Sequence, residues 1–163
     1  MLLRVATVSD LPELVDVQQA GAVVGLAHIF PQAEYPFPRA AVQAGWAAEL
    51  GRPEIDVYVV GEPGGRIRGF AAVRGNELLH FGTAVETWGS GLAAAVHDEL
   101  VGRLEAGAWL RVFEENRRAR RFYEKMGWTA TSRRTRSVFA PYPVLMEYEL
   151  AWRPEARRSD RQR

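Results

Sequence analysis

Two segments, about twenty residues apart, constrain the fold and the ligand of this chain more than any other feature. The first, residues 88–93 (WGSGLA), is a glycine turn between a predicted strand and a predicted helix. Such a turn exposes free backbone N–H groups, which bind phosphate. The second, residues 116–123 (NRRARRFY), places Asn116 and Tyr123 on one face of a following helix, two turns apart. Together the segments predict a diphosphate-bearing cofactor with a reacting group nearby.

Length and composition favour one globular domain. The 163 residues and the apolar fraction of 47% suffice for a sizeable core. No apolar run approaches a membrane span, and the first residues are typical of a strand and not of a signal peptide. The chain has no cysteine, which excludes disulfides, thiolate metal ligands and a cysteine nucleophile. We therefore expect a cytoplasmic protein with no metal and no membrane association.

The charge is unevenly distributed. Residues 153–163 carry five arginines and two acids, a net charge of +3, which leaves 16 basic and 18 acidic residues, a net charge of −2, for the rest. We predict a domain over residues 1–152 and a basic, disordered tail over 153–163. A solvated chain end is the simpler interpretation of this tail, and an arm that binds nucleic acid is the alternative.

Hydrophobic periodicity and turn signals predict the order β-α-α-β-β-β-α-β-α-β-β, an α/β domain with a mixed sheet. The predicted strands cover residues 2–6, 55–60, 67–73, 77–84, 108–113, 129–139 and 144–150. The predicted helices cover residues 9–19, with Ser9 as N-cap, then 39–50, then from about 91 to a stop at Gly107, and 116–126. Part of the stretch from 20 to 38, which contains two glycines and three prolines, is expected to be irregular.

Each motif by itself also has a plainer interpretation. The glycine turn could simply connect a strand to a helix. It is no dinucleotide fingerprint, because Ala94 occupies the third glycine position, and no P-loop, because no Lys-Ser/Thr follows. Asn116 could be a helix N-cap, and Tyr123 could be an ordinary core tyrosine. These alternatives stay open from the residues alone.

Taken together, the element order and both segments resemble the GNAT superfamily of acetyl-CoA-dependent N-acetyltransferases over about residues 2–150. Gly91 and Ala93 match the last two fixed positions of its cofactor motif, Gln/Arg-x-x-Gly-x-Gly/Ala. Trp88 replaces the Gln/Arg, which removes a positive charge near the phosphates. The second segment matches the other cofactor motif at Asn116, Ala119, Phe122, Tyr123, Gly127 and Trp128. The resemblance implies a GNAT-like mixed, mostly antiparallel central sheet flanked by helices.

The resemblance also implies acetyl-CoA as cosubstrate. Backbone N–H groups of the glycine turn would bind its diphosphate, Asn116 its pantetheine arm, and a backbone N–H near residues 83–85 the acetyl carbonyl. The implied cofactor-binding residues are Thr83, Val85, Trp88, Gly89, Ser90, Gly91, Leu92, Ala93, Asn116, Ala119, Arg120 and Phe122. Arg120 is the arginine expected to contact the phosphates, whereas Arg117, Arg118 and Arg121 are interpreted as a solvated helix face.

Two residues are implied to be catalytic. Tyr123 would be the general acid for the departing thiolate, since the pKa of a phenol is close to that of a thiol. Glu77, at the start of the strand that leads to the glycine turn, would be the general base, directly or through water. His80 is its rival, but a regular strand turns residues three apart to opposite faces unless a bulge intervenes. We expect His80 to be a satisfied, half-buried histidine.

The sequence thus predicts a single-domain N-acetyltransferase in which a primary amine attacks the thioester of acetyl-CoA directly, although a serine relay stays open. Phe30, Tyr35 and Phe37 suggest a partly apolar acceptor. The rival is a non-catalytic acyl-CoA-binding domain of the same fold, acting as a sensor or partner. A nucleic-acid-binding protein is disfavoured because the arginines lack interleaved aromatics. The acceptor and the acyl chain length stay open, and a homodimer is possible by analogy.

Overall fold

The computed structural model describes residues 1–151, so Trp152 and the basic segment 153–163 lie outside the described residues. The described part has seven strands and four helices in the predicted order. The strands are β1 (Leu3–Val5), β2 (Asp56–Val60), β3 (Gly69–Arg74), β4 (Glu77–Thr83), β5 (Trp109–Phe113), β6 (Thr129–Arg136) and β7 (Val144–Glu149). The helices are α1 (Leu11–Gly25), α2 (Arg39–Leu50), α3 (Leu92–Val101) and α4 (Arg117–Lys125).

The strands form one sheet in the order β1-β2-β3-β4-β5-β7-β6. Every neighbouring pair is antiparallel except β4 and β5, which are parallel. A parallel pair needs a long crossover, and here the glycine turn and α3 provide it. The predicted mixed, mostly antiparallel sheet flanked by helices is confirmed.

Helices cover both faces of the sheet. On one face, α1 and α2 pack against β2 and β3 in a cluster that includes Leu14, Trp46 and Phe70. On the other face, α3 and α4 pack against β3, β4, β5 and β7 in a larger cluster that includes Leu100 and Tyr148. None of the helices within residues 1–151 combines the length and apolar character that a membrane span requires.

Strand β4 contains a bulge. Leu78 pairs with Val73 and His80 pairs with Ala72, so Leu79 is an extra residue without a partner on β3. Glu77 pairs with Arg74, which lies two residues from Ala72 on β3 and therefore on the same face. The bulge thus brings Glu77 and His80 to one face of the sheet, where a regular strand would separate them.

The start of α1 differs from the prediction. A short 3₁₀ turn over Val8–Asp10 precedes the helix, and Asp10 accepts hydrogen bonds from the backbone N–H of Thr7 at 2.8 Å and from its hydroxyl at 3.2 Å. Asp10 also forms a two-bond ion pair with Arg4, at 2.9 Å for each N–O contact. The expectation that Ser9 is the N-cap was therefore wrong: Thr7 is the N-cap of the 3₁₀ turn, and Asp10 is the residue before α1.

Helix α1 also runs to Gly25, well beyond the predicted end near residue 19. Its two last glycines face the ring of Trp88: a Cβ at Gly21 would meet Trp88 at 3.9 Å and a Cβ at Gly25 at 3.4 Å. These glycines therefore leave room for the Trp88 ring, and Gly21 does not end the helix. In contrast, α3 and β6 are shorter than predicted, ending at Val101 and Arg136.

Candidate active site

A cavity of about 1070 Å³ opens where β4 and β5 separate. The two strands pair only at Glu77–Trp109 and Leu78–Leu110. Beyond these two pairs, β4 and β5 no longer hydrogen-bond to each other. The later residues of both strands line the cavity instead. The gap therefore presents backbone donors and acceptors to a ligand that enters between the strands.

Seven of the residues predicted to serve the cofactor or the chemistry line this cavity. They are contributed by the end of β4, the glycine turn with the start of α3, and α4 with its N-cap. They are Thr83, Trp88, Ala93, Asn116, Ala119, Phe122 and Tyr123. The fold thus brings the two sequence segments together at one cavity.

The glycine turn leaves several backbone donors free. Gly89 and Gly91 have φ angles of +82° and +89°, a left-handed conformation that suits glycine, and Gly91 is the N-cap of α3. Among residues 1–151, the N–H groups of Gly89, Gly91, Ala93 and Ala94 have no hydrogen-bond partner. A Cβ built on either glycine would meet nothing within 4 Å. An anion can therefore approach the positive end of α3 closely.

Trp88 is fixed in the wall of the cavity. Its indole N–H donates to the backbone carbonyl of Thr83 at 3.0 Å, and its ring packs against the glycines at the end of α1. The guanidinium of Arg118 stacks on the ring, with its carbon 3.4 Å from the ring centre. Arg118 is exposed, as the interpretation of a solvated helix face expects, but it also lines the cavity, which that interpretation did not include.

Asn116 is both a helix cap and a cavity residue. Its Oδ1 accepts a hydrogen bond from the N–H of Ala119 at 3.2 Å, which is an N-cap interaction. Its Nδ2 has no hydrogen-bond partner among residues 1–151. The two interpretations of Asn116 are therefore compatible, since the oxygen caps α4 while the amide nitrogen is available to a ligand.

Tyr123 reaches the cavity from a buried position. The side chain is 8% exposed and packs edge to face against Phe122 and Trp128. No hydrogen-bond partner of its hydroxyl lies within residues 1–151, so the hydroxyl is free to donate to a ligand. Burial raises the pKa of the Tyr123 phenol above its ordinary value, which keeps the phenol protonated.

Arg120 is occupied elsewhere. Its Nε donates to the hydroxyl of Tyr148 at 3.1 Å, and its NH1 donates to the carbonyl of Glu114 at 3.0 Å. These bonds hold α4 against β7, and Arg120 does not line the cavity. Outside the lining lie also Val85, Gly89, Ser90, Gly91 and Leu92. Of the N–H groups expected to meet the acetyl carbonyl, that of Ala84 is already bound to Arg68 O at 2.8 Å.

Glu77 does not line the cavity, whereas His80 does. Glu77 is 3% exposed, and its Oε1 accepts a hydrogen bond from Arg74 at 2.6 Å. His80 Nε2 lies 2.9 Å from Oε1 of Glu49 on α2, and its ring packs against Trp46 with centroids 4.7 Å apart. The structure therefore places the predicted base in an ion pair outside the cavity and its rival inside, oriented by a carboxylate.

Part of the cavity lining is aromatic. Phe30, Tyr35 and Phe37, from the segment between α1 and α2, line it together with Val138 and Phe139 from the β6–β7 connection. The ring of Phe30 packs edge to face on Phe113 of β5 at 5.4 Å, which holds this segment across the sheet. Within the described residues, Glu34 is the one acid in the lining, whereas Arg111, Arg118 and Arg136 are basic.

The sequence matches a family model described as the acetyltransferase (GNAT) family over residues 14–128, most of the chain. The chain belongs to the GNAT acetyltransferase family. Membership implies acyltransferase activity, and the expected family is confirmed. A comparison with the sequences of curated proteins finds no significant match.

Solved structures of GNAT proteins share the fold. Apo-form YjaB from Escherichia coli is 20% identical, with a TM-score of 0.72 over 93% of this chain and 97% of that protein. The spermidine N-acetyltransferase of Vibrio cholerae, solved with CoA and spermine, is 16% identical, with a TM-score of 0.63 over 90% and 92%. The ribosomal-protein-S18-alanine N-acetyltransferase of Escherichia coli is 18% identical, with a TM-score of 0.66 over 91% of each chain. At these identities the likeness concerns the fold.

Two contacts in this GNAT site were not predicted from the sequence. The pairing of His80 with Glu49 joins β4 to α2 across 31 positions, and nothing in the local pattern indicates it. The stacking of Arg118 on Trp88 joins α4 to the glycine turn. One indication of this stacking was present in the sequence, namely Trp88 in place of Gln/Arg, because a guanidinium is attracted to the face of an aromatic ring.

Proposed function

We propose that this protein transfers the acetyl group of acetyl-CoA directly to a primary amine. The observation that supports the proposal is the cavity between β4 and β5, which Ala93 at the start of α3 and Tyr123 on α4 both line. The free N–H groups of Gly89 and Gly91 lie in the turn directly before Ala93. The diphosphate would bind at the glycine turn, and the pantetheine arm would extend between the separated strands beside Asn116. The acetyl carbonyl would then lie near Tyr123.

In this proposal His80, and not Glu77, removes the proton from the amine. The Glu49 carboxylate can only accept a hydrogen bond, so His80 donates through Nε2, and Nδ1 is the basic nitrogen of the neutral ring. The pair thus resembles other arrangements in which a carboxylate orients a histidine base. Glu77 lacks access to the cavity because Arg74 holds its carboxylate.

Tyr123 completes the reaction on the leaving-group side. The amine nitrogen attacks the carbonyl carbon, the carbon–sulfur bond breaks, and the thiolate takes the phenolic proton. Burial raises the pKa of Tyr123, so the phenol is a weaker acid than a free tyrosine but is always present in its protonated form. The hydroxyl would therefore stabilise the developing thiolate by hydrogen bonding before it transfers the proton.

The proposed acceptor is a partly apolar amine. Phe30, Tyr35 and Phe37 offer apolar surface, and Glu34 is the one carboxylate in the described lining. A polycation such as spermidine would need several acids to balance its charges, and three arginines in the lining would repel it. We expect aromatic or aliphatic primary amines, or the amino terminus of an apolar peptide, to be better acceptors.

The experiment is a thiol-release assay with acetyl-CoA and four acceptors: phenylethylamine, an amino acid ester, a short apolar peptide and spermidine. Melting curves with acetyl-CoA are recorded in parallel. We expect stabilisation by acetyl-CoA and amine-dependent thiol release that is weakest with spermidine. Stabilisation without thiol release from any amine would favour the non-catalytic acyl-CoA-binding domain. No stabilisation at millimolar acetyl-CoA would refute the cofactor site itself.

A further inference from the structure

The glycine turn lacks the Gln/Arg that the first cofactor motif carries, and Trp88 stands there instead. A diphosphate bound at the start of α3 would thus meet free N–H groups but no cation from its own loop. The structure supplies a cation from another element, since the Arg118 guanidinium on α4 is stacked on the Trp88 ring at 3.4 Å. Both residues line the cavity, as do Ala93 and Asn116.

We infer that Arg118, held on the ring of Trp88, is the cation that binds the diphosphate of acetyl-CoA. This inference rests on the proposed function, because it concerns a ligand of the same site. It assigns to Trp88 a positioning role: the ring fixes the plane of the guanidinium, and the free edge of that group can then donate to phosphate oxygens.

The other arginines of α4 are less suitable. Arg117 pairs with Glu115 at 3.6 Å, and Arg120 is bound to Tyr148 and Glu114. Arg121 is exposed and does not line the cavity. Within residues 1–151, Arg118 has neither an ion pair nor a hydrogen bond. It is therefore the arginine of this helix that reaches the cavity with its donors uncommitted.

The position of Trp88 is itself well determined. The indole N–H is bound to Thr83 O, and Gly21 and Gly25 leave the space that the ring occupies on α1. The side chain of Arg118 is exposed as a whole, yet its contact with the ring partly desolvates the guanidinium, and this lowers the pKa of Arg118. A guanidinium that has lost part of its hydration and has no counter-ion gains more from an anionic ligand than a fully hydrated one does.

The test compares Arg118→Met with the matched control Arg121→Met, which removes the same charge from the exposed side of the same helix. Binding is measured by calorimetry with acetyl-CoA, with its 3′-dephospho form and with S-acetylpantetheine, which carries no nucleotide. We expect Arg118→Met to lower the affinity for acetyl-CoA and for 3′-dephospho-acetyl-CoA by about 10- to 100-fold, the usual range for a lost charge-assisted hydrogen bond. S-acetylpantetheine should bind equally to both variants and to the unmodified protein.

Each other outcome overturns the inference. Unchanged affinity for acetyl-CoA in Arg118→Met would show that the charge does not serve the ligand. An equal loss of affinity for all three ligands would indicate a structural role. A loss of affinity for acetyl-CoA alone would mean that Arg118 binds the 3′-phosphate. If the unmodified protein binds none of the three ligands, the proposed function fails before this inference is reached.

A double-mutant cycle tests the role of Trp88. Trp88→Leu removes the platform, so we expect it to weaken acetyl-CoA binding when Arg118 is present and to have little further effect in Arg118→Met. Strict additivity would refute the positioning role. Melting curves without ligand show whether Trp88→Leu is folded. Should it not fold, Arg118→Lys, which keeps the charge but loses the planar stack, is expected to recover only part of the affinity.

Discussion

The substitution Gly91→Ala separates the strain of the glycine turn from its ligand contact. Gly91 has φ +89°, and a Cβ at this position would meet nothing within 4 Å, so the cost to the free protein is backbone strain alone. A left-handed alanine costs about 1–2 kcal/mol. For a chain of this size that corresponds to a fall in Tm of about 2–8 °C. The added methyl group would occupy the open space beside the free N–H groups, where the diphosphate is proposed to bind.

Gly64 provides a matched control. It lies in the turn between β2 and β3 with φ +76°, and a Cβ there would meet nothing within 4 Å, but unlike Gly91 it is not at the start of α3. Gly64→Ala should therefore lower Tm about as much as Gly91→Ala. The two variants should differ only in their response to acetyl-CoA.

The assay is thermal melting with and without acetyl-CoA at 100 times the Kd of the unmodified protein. That concentration adds about 2.7 kcal/mol of stability to the unmodified protein and to Gly64→Ala. If Gly91→Ala weakens binding tenfold, the added stability falls to about 1.4 kcal/mol, so the shift in Tm is roughly halved. An identical shift in both variants would refute the reasoning, because the ligand would then not approach Gly91.

Three further predictions concern catalysis and stability. Tyr123→Phe should lower kcat about 100-fold or more in the thiol-release assay, with little change in the Kd of acetyl-CoA. His80→Gln should lower kcat/KM by a similar factor, whereas Glu77→Gln should lower Tm and leave kcat nearly unchanged; the opposite pattern would return the base role to Glu77. Arg4 lowers the pKa of Asp10 from 3.8 to about 2, so this carboxylate stabilises the fold above about pH 4 and stops doing so as pH falls through about 2. Asp10→Asn should thus lower the free energy of unfolding, measured with urea, by about 2 kcal/mol at pH 7 and by almost nothing at pH 2.

Much of this protein follows from local sequence patterns. Alternation and turn signals predict the element order, and α2 was predicted to the residue, at Arg39–Leu50. The spacing of Asn116 and Tyr123 is a helical period, so both were expected on one face, and both line the cavity. Positive φ angles at Gly89 and Gly91 are a local property that only glycine tolerates well. Such features depend on neighbours a few positions away, which a single sequence displays.

Which of the titratable and charged side chains reach the cavity depends on tertiary contacts. One extra residue, Leu79, places Glu77 and His80 on the same face, and whether each reaches the cavity depends on Arg74 and Glu49. The sequence by itself determined the fold class and the glycine turn, because periodicity and backbone conformation are local. Only the tertiary structure decided which carboxylate, histidine and arginine face the cavity, because a side chain's partners come from elements far away in the chain.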